Sequence, residues 1–154
     1  MSPSDKFGEN YFEFTHGNFY SDPIFGGMWD FLVEVDGEVD CVLEMKTTSA
    51  KNKTKWLKSG PPFHYVLQAA LYAWLLNIDK FYIVAGFLNS ADYAWPDLFY
   101  PSSENVVLWE IKVSQLCSDF YNDIISPCEI WYYKYVDTGV SPDFDEVKDA
   151  EYLE

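Results

Sequence analysis

The first regular pattern along this chain is an alternation of apolar and polar positions, Trp29-Phe31-Val33-Val35 and Val39-Cys41-Leu43-Met45, broken by Asp36-Gly37-Glu38. Period-two alternation on both sides of an acidic, glycine-containing turn predicts a β-hairpin over residues 28–48. With Asp36, Gly37 and Glu38 as the loop, Val35 faces Val39, Val33 faces Cys41, Phe31 faces Leu43 and Trp29 faces Met45. All four apolar pairs then share one face. On the opposite face Leu32 meets Val42, Asp30 meets Glu44, and Lys46 lies two residues beyond Glu44 on the same side.

The rest of the chain supplies the partners of this hairpin. Residues 5–14 read as a short helix capped by Ser4, with Asp5, Glu9 and Glu13 along one side. Residues 18–25 read as an edge strand beside the hairpin, and Gly26-Gly27 permits a tight turn or close approach of another backbone. Residues 47–60 are polar and lysine-rich, which predicts a mobile loop. After Pro61-Pro62 a helix is expected over 63–77, burying Val66, Leu67, Ala70, Leu71, Trp74 and Leu75. The continuous apolar run 81–88 predicts a central strand. Residues 89–105 read as an irregular insertion, 106–112 as another strand, and 113–125 as an amphipathic helix with Leu116, Phe120 and Ile124 inward. The aromatic run 130–135 closes that helix layer or forms a contact surface. The expected fold is α/β: one domain over 1–136 with a mixed central sheet flanked by helices, then an acidic, poorly ordered tail over 137–154.

Composition changes this picture in two ways. A chain of 154 residues with 49% hydrophobic content can bury a full core. It has no apolar run of membrane-spanning length and no basic-then-apolar leader pattern, so a cytoplasmic protein without membrane contact is expected. Cys41, Cys117 and Cys128 are too few and too widely spaced for a four-cysteine metal pattern. The net charge of -15 opposes nucleic-acid binding, which rests largely on phosphate neutralisation. That charge is segregated, however. There is no arginine, and Lys46, Lys51, Lys53, Lys55 and Lys58 cluster in one stretch, whereas acids crowd the last residues from Asp137.

Like charges facing each other in a sheet are destabilising, so the Asp30/Glu44 pair calls for a reason. A divalent cation supplies one. Two carboxylates are hard oxygen ligands for Mg²⁺ or Mn²⁺, ions that keep waters able to attack a phosphodiester, and Lys46 stands ready to offset charge developing on phosphorus. The bland alternative is that Asp30, Glu34, Asp40 and Glu44 are the solvated face of a two-stranded ribbon.

The order Asp30, thirteen residues, Glu44-x-Lys46 resembles the PD-(D/E)XK nuclease signature, and Gln68-Ala-Ala-Leu-Tyr72 resembles the Q-x-x-x-Y motif of its branch of YqaJ-like viral recombinases, lambda exonuclease and RecB-type nucleases. Phe12-Glu13-Phe14-Thr15-His16-Gly17 is similar to the segment leading into that core, and Trp29 stands where the family usually has Pro. The resemblance covers residues 5–90. It implies a restriction-endonuclease-like core and a phage-type recombination exonuclease that hydrolyses DNA, with Asp30, Glu44 and the Met45 carbonyl on Mg²⁺ or Mn²⁺ and with Lys46, Gln68 and Tyr72 at the chemistry. An acid of the N-terminal helix often joins such a site, with Asp5 as nearest counterpart beside Glu9 and Glu13. The loop carrying Lys51, Lys53, Lys55 and Lys58 would touch phosphates, and Trp56 would stack on a base or wedge a duplex end. Partners would be DNA, with a homo-oligomer or a recombination protein as further options. The other readings are a catalytically silent acidic DNA mimic and a nuclease subunit that needs a DNA-binding partner.

Overall fold

The computed structural model describes residues 19–21 and 24–145. The helix expected over 5–14, its acids Asp5, Glu9 and Glu13, and the end of the tail lie outside the described residues. The chain divides into two compact units, one ending at Ser118 and one starting at Asp119.

The first unit is built on a four-stranded mixed sheet flanked by helices. Its strands are β3 (Phe31–Val35), β4 (Glu38–Ser49), β5 (Lys80–Leu88) and β6 (Val106–Lys112), in that spatial order. β3 and β6 run antiparallel to their neighbours, and β4 and β5 run parallel. A parallel pair needs a crossover connection, supplied here by α1 (Lys53–Ser59) and α2 (Phe63–Leu75). Ahead of the sheet, β1 (Phe19–Ser21) and β2 (Gly26–Met28) pair as a separate two-stranded ribbon. The expected edge strand over 18–25 therefore pairs with β2 and not with the hairpin.

The β3–β4 hairpin corrects the expected turn while keeping most of the expected register. Asp36 and Gly37 both have positive φ, 53° and 84°, the conformation of a tight two-residue turn. Val35 therefore pairs with Glu38 and Glu34 with Val39, and an irregularity between Val33 and Glu34 then restores Val33–Cys41, Leu32–Val42 and Phe31–Leu43. Asp40 is the extra residue of this bulge, and its carboxylate pairs with Lys80 Nζ at 2.5 Å. Replacing Gly37 with Ala forces a Cβ into the left-handed region. A loss of about 1 kcal/mol is expected, or ~3 °C in melting temperature by calorimetry.

Burial shows which face of the sheet holds the core. Val42 and Glu44 of β4, Phe81, Ile83, Ala85 and Phe87 of β5, and the half-buried Val107 and Trp109 of β6 share one face, toward α1 and α2. The alternate positions Phe31, Val39, Met45 and Leu108 are exposed. The long apolar stripe of the hairpin is thus not the principal core face.

Two helices differ from expectation in instructive ways. Residues 47–60 are not a loop: β4 continues to Ser49, a 3-10 turn covers Ala50–Asn52, and α1 follows. One buried anchor, Trp56, packs between Tyr65, Phe87 and Trp109. In α2 the buried residues are Val66, Ala69, Ala70, Tyr72 and Ala73, so the inward face is rotated from the bulky stripe toward alanines. Small side chains let this helix lie close to the sheet, which carries Gln68 and Tyr72 toward β4.

β6 matches its expected span, whereas the helix expected over 113–125 stops after Val113–Leu116 (α4). The insertion holds a short helix, α3 (Ser90–Ala94), with a capping box on Asn89 and Asp92. The second unit is a helical run with wide π-type turns at Tyr121–Ile125 and Tyr132–Val136 around Ser126–Trp131 (α5). Within it Tyr121 donates to Glu129 Oε2 at 2.9 Å. No helix among the described residues is long and apolar enough to cross a membrane.

Candidate active site

β4 passes the end of β3 at Leu43, and beyond that point a side chain takes over the work of a neighbouring strand. β3 begins at Phe31, so Asp30 precedes it and is not in the ladder. Its carboxylate instead accepts the Met45 amide N–H at 2.7 Å. A β4 donor left without a strand partner is thereby satisfied, and one carboxyl group is pinned beside Glu44. Met45 enters the arrangement through its N–H, with its side chain exposed.

Glu44 faces inward and is 3% exposed. One oxygen, Oε1, accepts from Lys46 Nζ at 2.7 Å, while Oε2 is buried and has no hydrogen-bond partner among the described residues. Burial pushes the carboxyl above the usual glutamate range; the hydrogen bond and charge of Lys46 and the nearby backbone N–H of Asp30 oppose this, and the charge of Asp30 adds to it. A buried acceptor of this kind costs stability unless something positive or a donor meets it.

Lys46 links the sheet to α2. Besides Glu44 it donates to Gln68 Oε1 at 2.9 Å, and Gln68 Nε2 in turn donates to Tyr72 OH at 3.0 Å. This chain sets every orientation. The amide oxygen of Gln68 points to the ammonium, and the Tyr72 oxygen is used as an acceptor, leaving its proton to point elsewhere. Two of the three Lys46 N–H groups are engaged, and its Nζ lies 4.9 Å from the centre of the Tyr65 ring.

Asp30, Glu44, Lys46, Gln68 and Tyr72 are thus brought together from a pre-strand bend, one strand and one helix. The four lysines are not part of this cluster. Lys51, Lys55 and Lys58 project into solvent around α1, and Lys53 is half-buried with its Nζ on the Glu104 carbonyl. Trp56, expected to stack on a base, is 5% exposed and belongs to the core, because α1 has no other bulky residue turned inward.

Two contributors escaped the sequence reading. Tyr65 was within reach of it, three residues before Gln68 on one helix face. Gly27 was noted only as a place for close approach, and the structure shows of what: a Cβ there would lie 2.2 Å from Tyr72 Cε1. The β2 backbone therefore rests on the Tyr72 ring. Gly27→Ala should cost about 2 kcal/mol, and much less in a Tyr72→Ala background, in a double-mutant cycle read by urea unfolding. Equal costs in both backgrounds would remove Gly27 from the site.

Two mycoplasma proteins resemble this chain. Over 89 residues it is 32% identical to the uncharacterized protein MG373 of Mycoplasma genitalium, a match covering 58% of this chain and 30% of that one. Against the MG373 homolog of Mycoplasma pneumoniae the identity is 27% over 89 residues, with the same coverage. The chain thus spans about a third of the length of these relatives. No family model matches it, and no solved structure does.

Fitness for a cation can be judged from the donor set. Among the described residues no group of three or more His, Cys, Asp or Glu side chains comes together. Two carboxylates, one with a buried and unpartnered oxygen, still suit Mg²⁺ or Mn²⁺. Mg²⁺ commonly takes one or two protein carboxylates and fills its remaining positions with waters and substrate phosphate oxygens. Among the described residues, no cysteine or histidine joins this cluster to serve a soft metal that wants thiolate or imidazole.

Proposed function

We propose that this chain is a metal-dependent DNA nuclease, of the recombination-exonuclease kind within the PD-(D/E)XK nucleases, with its site on Asp30, Glu44, Lys46, Gln68 and Tyr72. One observation carries the reading: Glu44 is buried near Asp30 with its Oε2 unpartnered, while its other oxygen holds Lys46, the catalytic lysine of the resemblance.

When bound, Mg²⁺ or Mn²⁺ would polarise the scissile phosphate and lower the pKa of an attacking water. Asp30 and Glu44 Oε2 would hold the ion, with the Met45 carbonyl as the third ligand that the resemblance suggests. The third N–H of Lys46 would offset the negative charge that builds on the phosphoryl oxygens. Tyr72, whose oxygen already accepts from Gln68, has its hydroxyl proton available for a phosphate oxygen. Gln68 fixes the spacing between ammonium and phenol, so both approach the phosphate in one geometry.

End-labelled linear duplex DNA and a closed circle, each incubated with Mg²⁺, Mn²⁺ or EDTA, test the reading. Loss of the linear substrate alone, and only with metal, is the expected result. Digestion in EDTA, or a folded protein that binds metal and cuts neither substrate, would refute it. The net charge of -15 favours a second reading, a nuclease subunit whose grip on DNA comes from a partner. Cleavage that appears only after a DNA-binding partner is added distinguishes it.

A further inference from the structure

We infer that the 89–105 insertion, together with the lysine helix α1, forms a stacking platform for single-stranded DNA at the end of the sheet nearest the site. The purpose of the strand rests on the nuclease reading; its binding does not. Among the described residues of the first unit, the insertion carries the most exposed aromatics, with Trp95 at 67% and Tyr100 at 83%. Large exposed aromatics gathered in one short segment mark a binding surface.

This segment is fastened down. Asn89 accepts from the Ala91 and Asp92 amides, Asn105 Nδ2 donates to the Tyr100 carbonyl at 2.9 Å, and the Phe99 ring lies against Gly86 of β5. The bond from Lys53 to the Glu104 carbonyl ties it to α1. It follows directly on the end of β5. Lys46 pairs with Ala85, and the ladder ends three residues later at Ser49–Leu88, roughly 10 Å along the sheet at ~3.3 Å per residue. Phe99 packs on the face of Gly86 and Thr47, the reverse of the one that carries Lys46, so a strand on the platform would reach the site around the end of the sheet.

Charge identifies the occupant. Residues 46–58 hold five lysines and no acid, and residues 89–105 hold Asp92, Asp97 and Glu104. The Asp92 carboxylate is engaged by the Asn89 amide. Lys46 is paired with Glu44 at 2.7 Å, which leaves four lysines against three acids, a slightly positive neighbourhood in a chain of net charge -15. With few cations and no arginine, affinity for a nucleic acid has to come largely from base stacking, and only unpaired bases offer their faces. The interior of a duplex hides its base faces, so only a frayed or unpaired end would reach this surface.

The test is fluorescence anisotropy of a labelled all-thymine oligonucleotide in EDTA, where no metal-dependent cleavage occurs. Wild type should bind with a shallow salt dependence, a log–log slope near about -2 if Lys51, Lys55 and Lys58 each meet a phosphate. Trp95→Ala and Tyr100→Ala should each weaken binding by about tenfold or more, and Trp95→Phe should restore most of it. These are exposed positions, so equal melting curves are expected and serve as the folding control. Unchanged binding in the double variant overturns the inference, as does wild type that cuts linear DNA yet binds no oligonucleotide. Self-association of wild type that Trp95→Ala abolishes, without oligonucleotide binding, also overturns it and assigns the patch to a second copy. Oligonucleotide binding without cleavage under any metal supports the platform and removes the nuclease reading instead.

Discussion

Lys46→Ala should lower the rate of metal-dependent DNA cleavage by about 10²–10³-fold, the usual cost of removing one preorganised donor from developing charge. The effect should fall on kcat, because Lys46 is already positioned by Glu44 and Gln68 before any substrate arrives. Some stability should go as well. The variant leaves both oxygens of a buried carboxylate unpartnered, at a cost of about 1–3 kcal/mol. Added Mg²⁺ or Mn²⁺ should return much of that stability while leaving cleavage lost. Steady-state cleavage assays run well below the variant's melting temperature separate the two effects, and near-wild-type kcat would remove Lys46 from the chemistry.

The second large effect concerns Glu44. If Oε2 receives a cation, metal should stabilise the wild-type fold by about 2.7 kcal/mol at a hundredfold excess over Kd, which is roughly 5–10 °C for a chain of this size. Glu44→Gln should lose nearly all of that gain, because an amide oxygen is a neutral and much weaker ligand. The pH dependence has a definite sign. The carboxyl of Glu44 is raised in the folded state, so without metal the folded protein holds its proton more tightly than the unfolded chain does. Its contribution to stability is then greatest below the ordinary glutamate pKa and is lost as pH climbs through the raised value. Metal binds the deprotonated form, so the metal-induced gain should fade as pH drops through that same raised value. Scanning calorimetry across the acid range, with metal and with EDTA, reads both trends. A pH-independent metal effect, or one retained by Glu44→Gln, would place the ion elsewhere.

Much of this arrangement was legible in residue pattern alone, for reasons that individual positions make clear. Alternation placed Phe31 opposite Leu43 and Leu32 opposite Val42, since any register slip inverts the faces. Helical spacing put Gln68 and Tyr72 within reach of each other, and they are joined at 3.0 Å. What alternation does not encode is a compensated irregularity. The tight Asp36-Gly37 turn and the bulge at Asp40 shift the pairing in opposite senses, so the outer register survives while the turn is misread. Hydrophobic bulk also misled. Leu67, Leu71 and Trp74 outweigh Ala69 and Ala73 in any pattern of apolarity, yet the alanines are the fully buried residues, because closeness of packing there depends on small size. In residues 47–60 the lysines hid a helix whose single inward anchor is Trp56. The burial of Glu44 was beyond reach, since it follows from α2 lying over β4 and not from any local feature.

The measurement that bears most directly on the proposed site is release of nucleotide from linear DNA in Mn²⁺ by wild type and Glu44→Gln, side by side, with melting curves recorded on the same samples. Metal-dependent release by wild type and none by an equally folded variant is the expected result. Equal release by both proteins would contradict it, and the chemistry would then have to be sought away from Glu44.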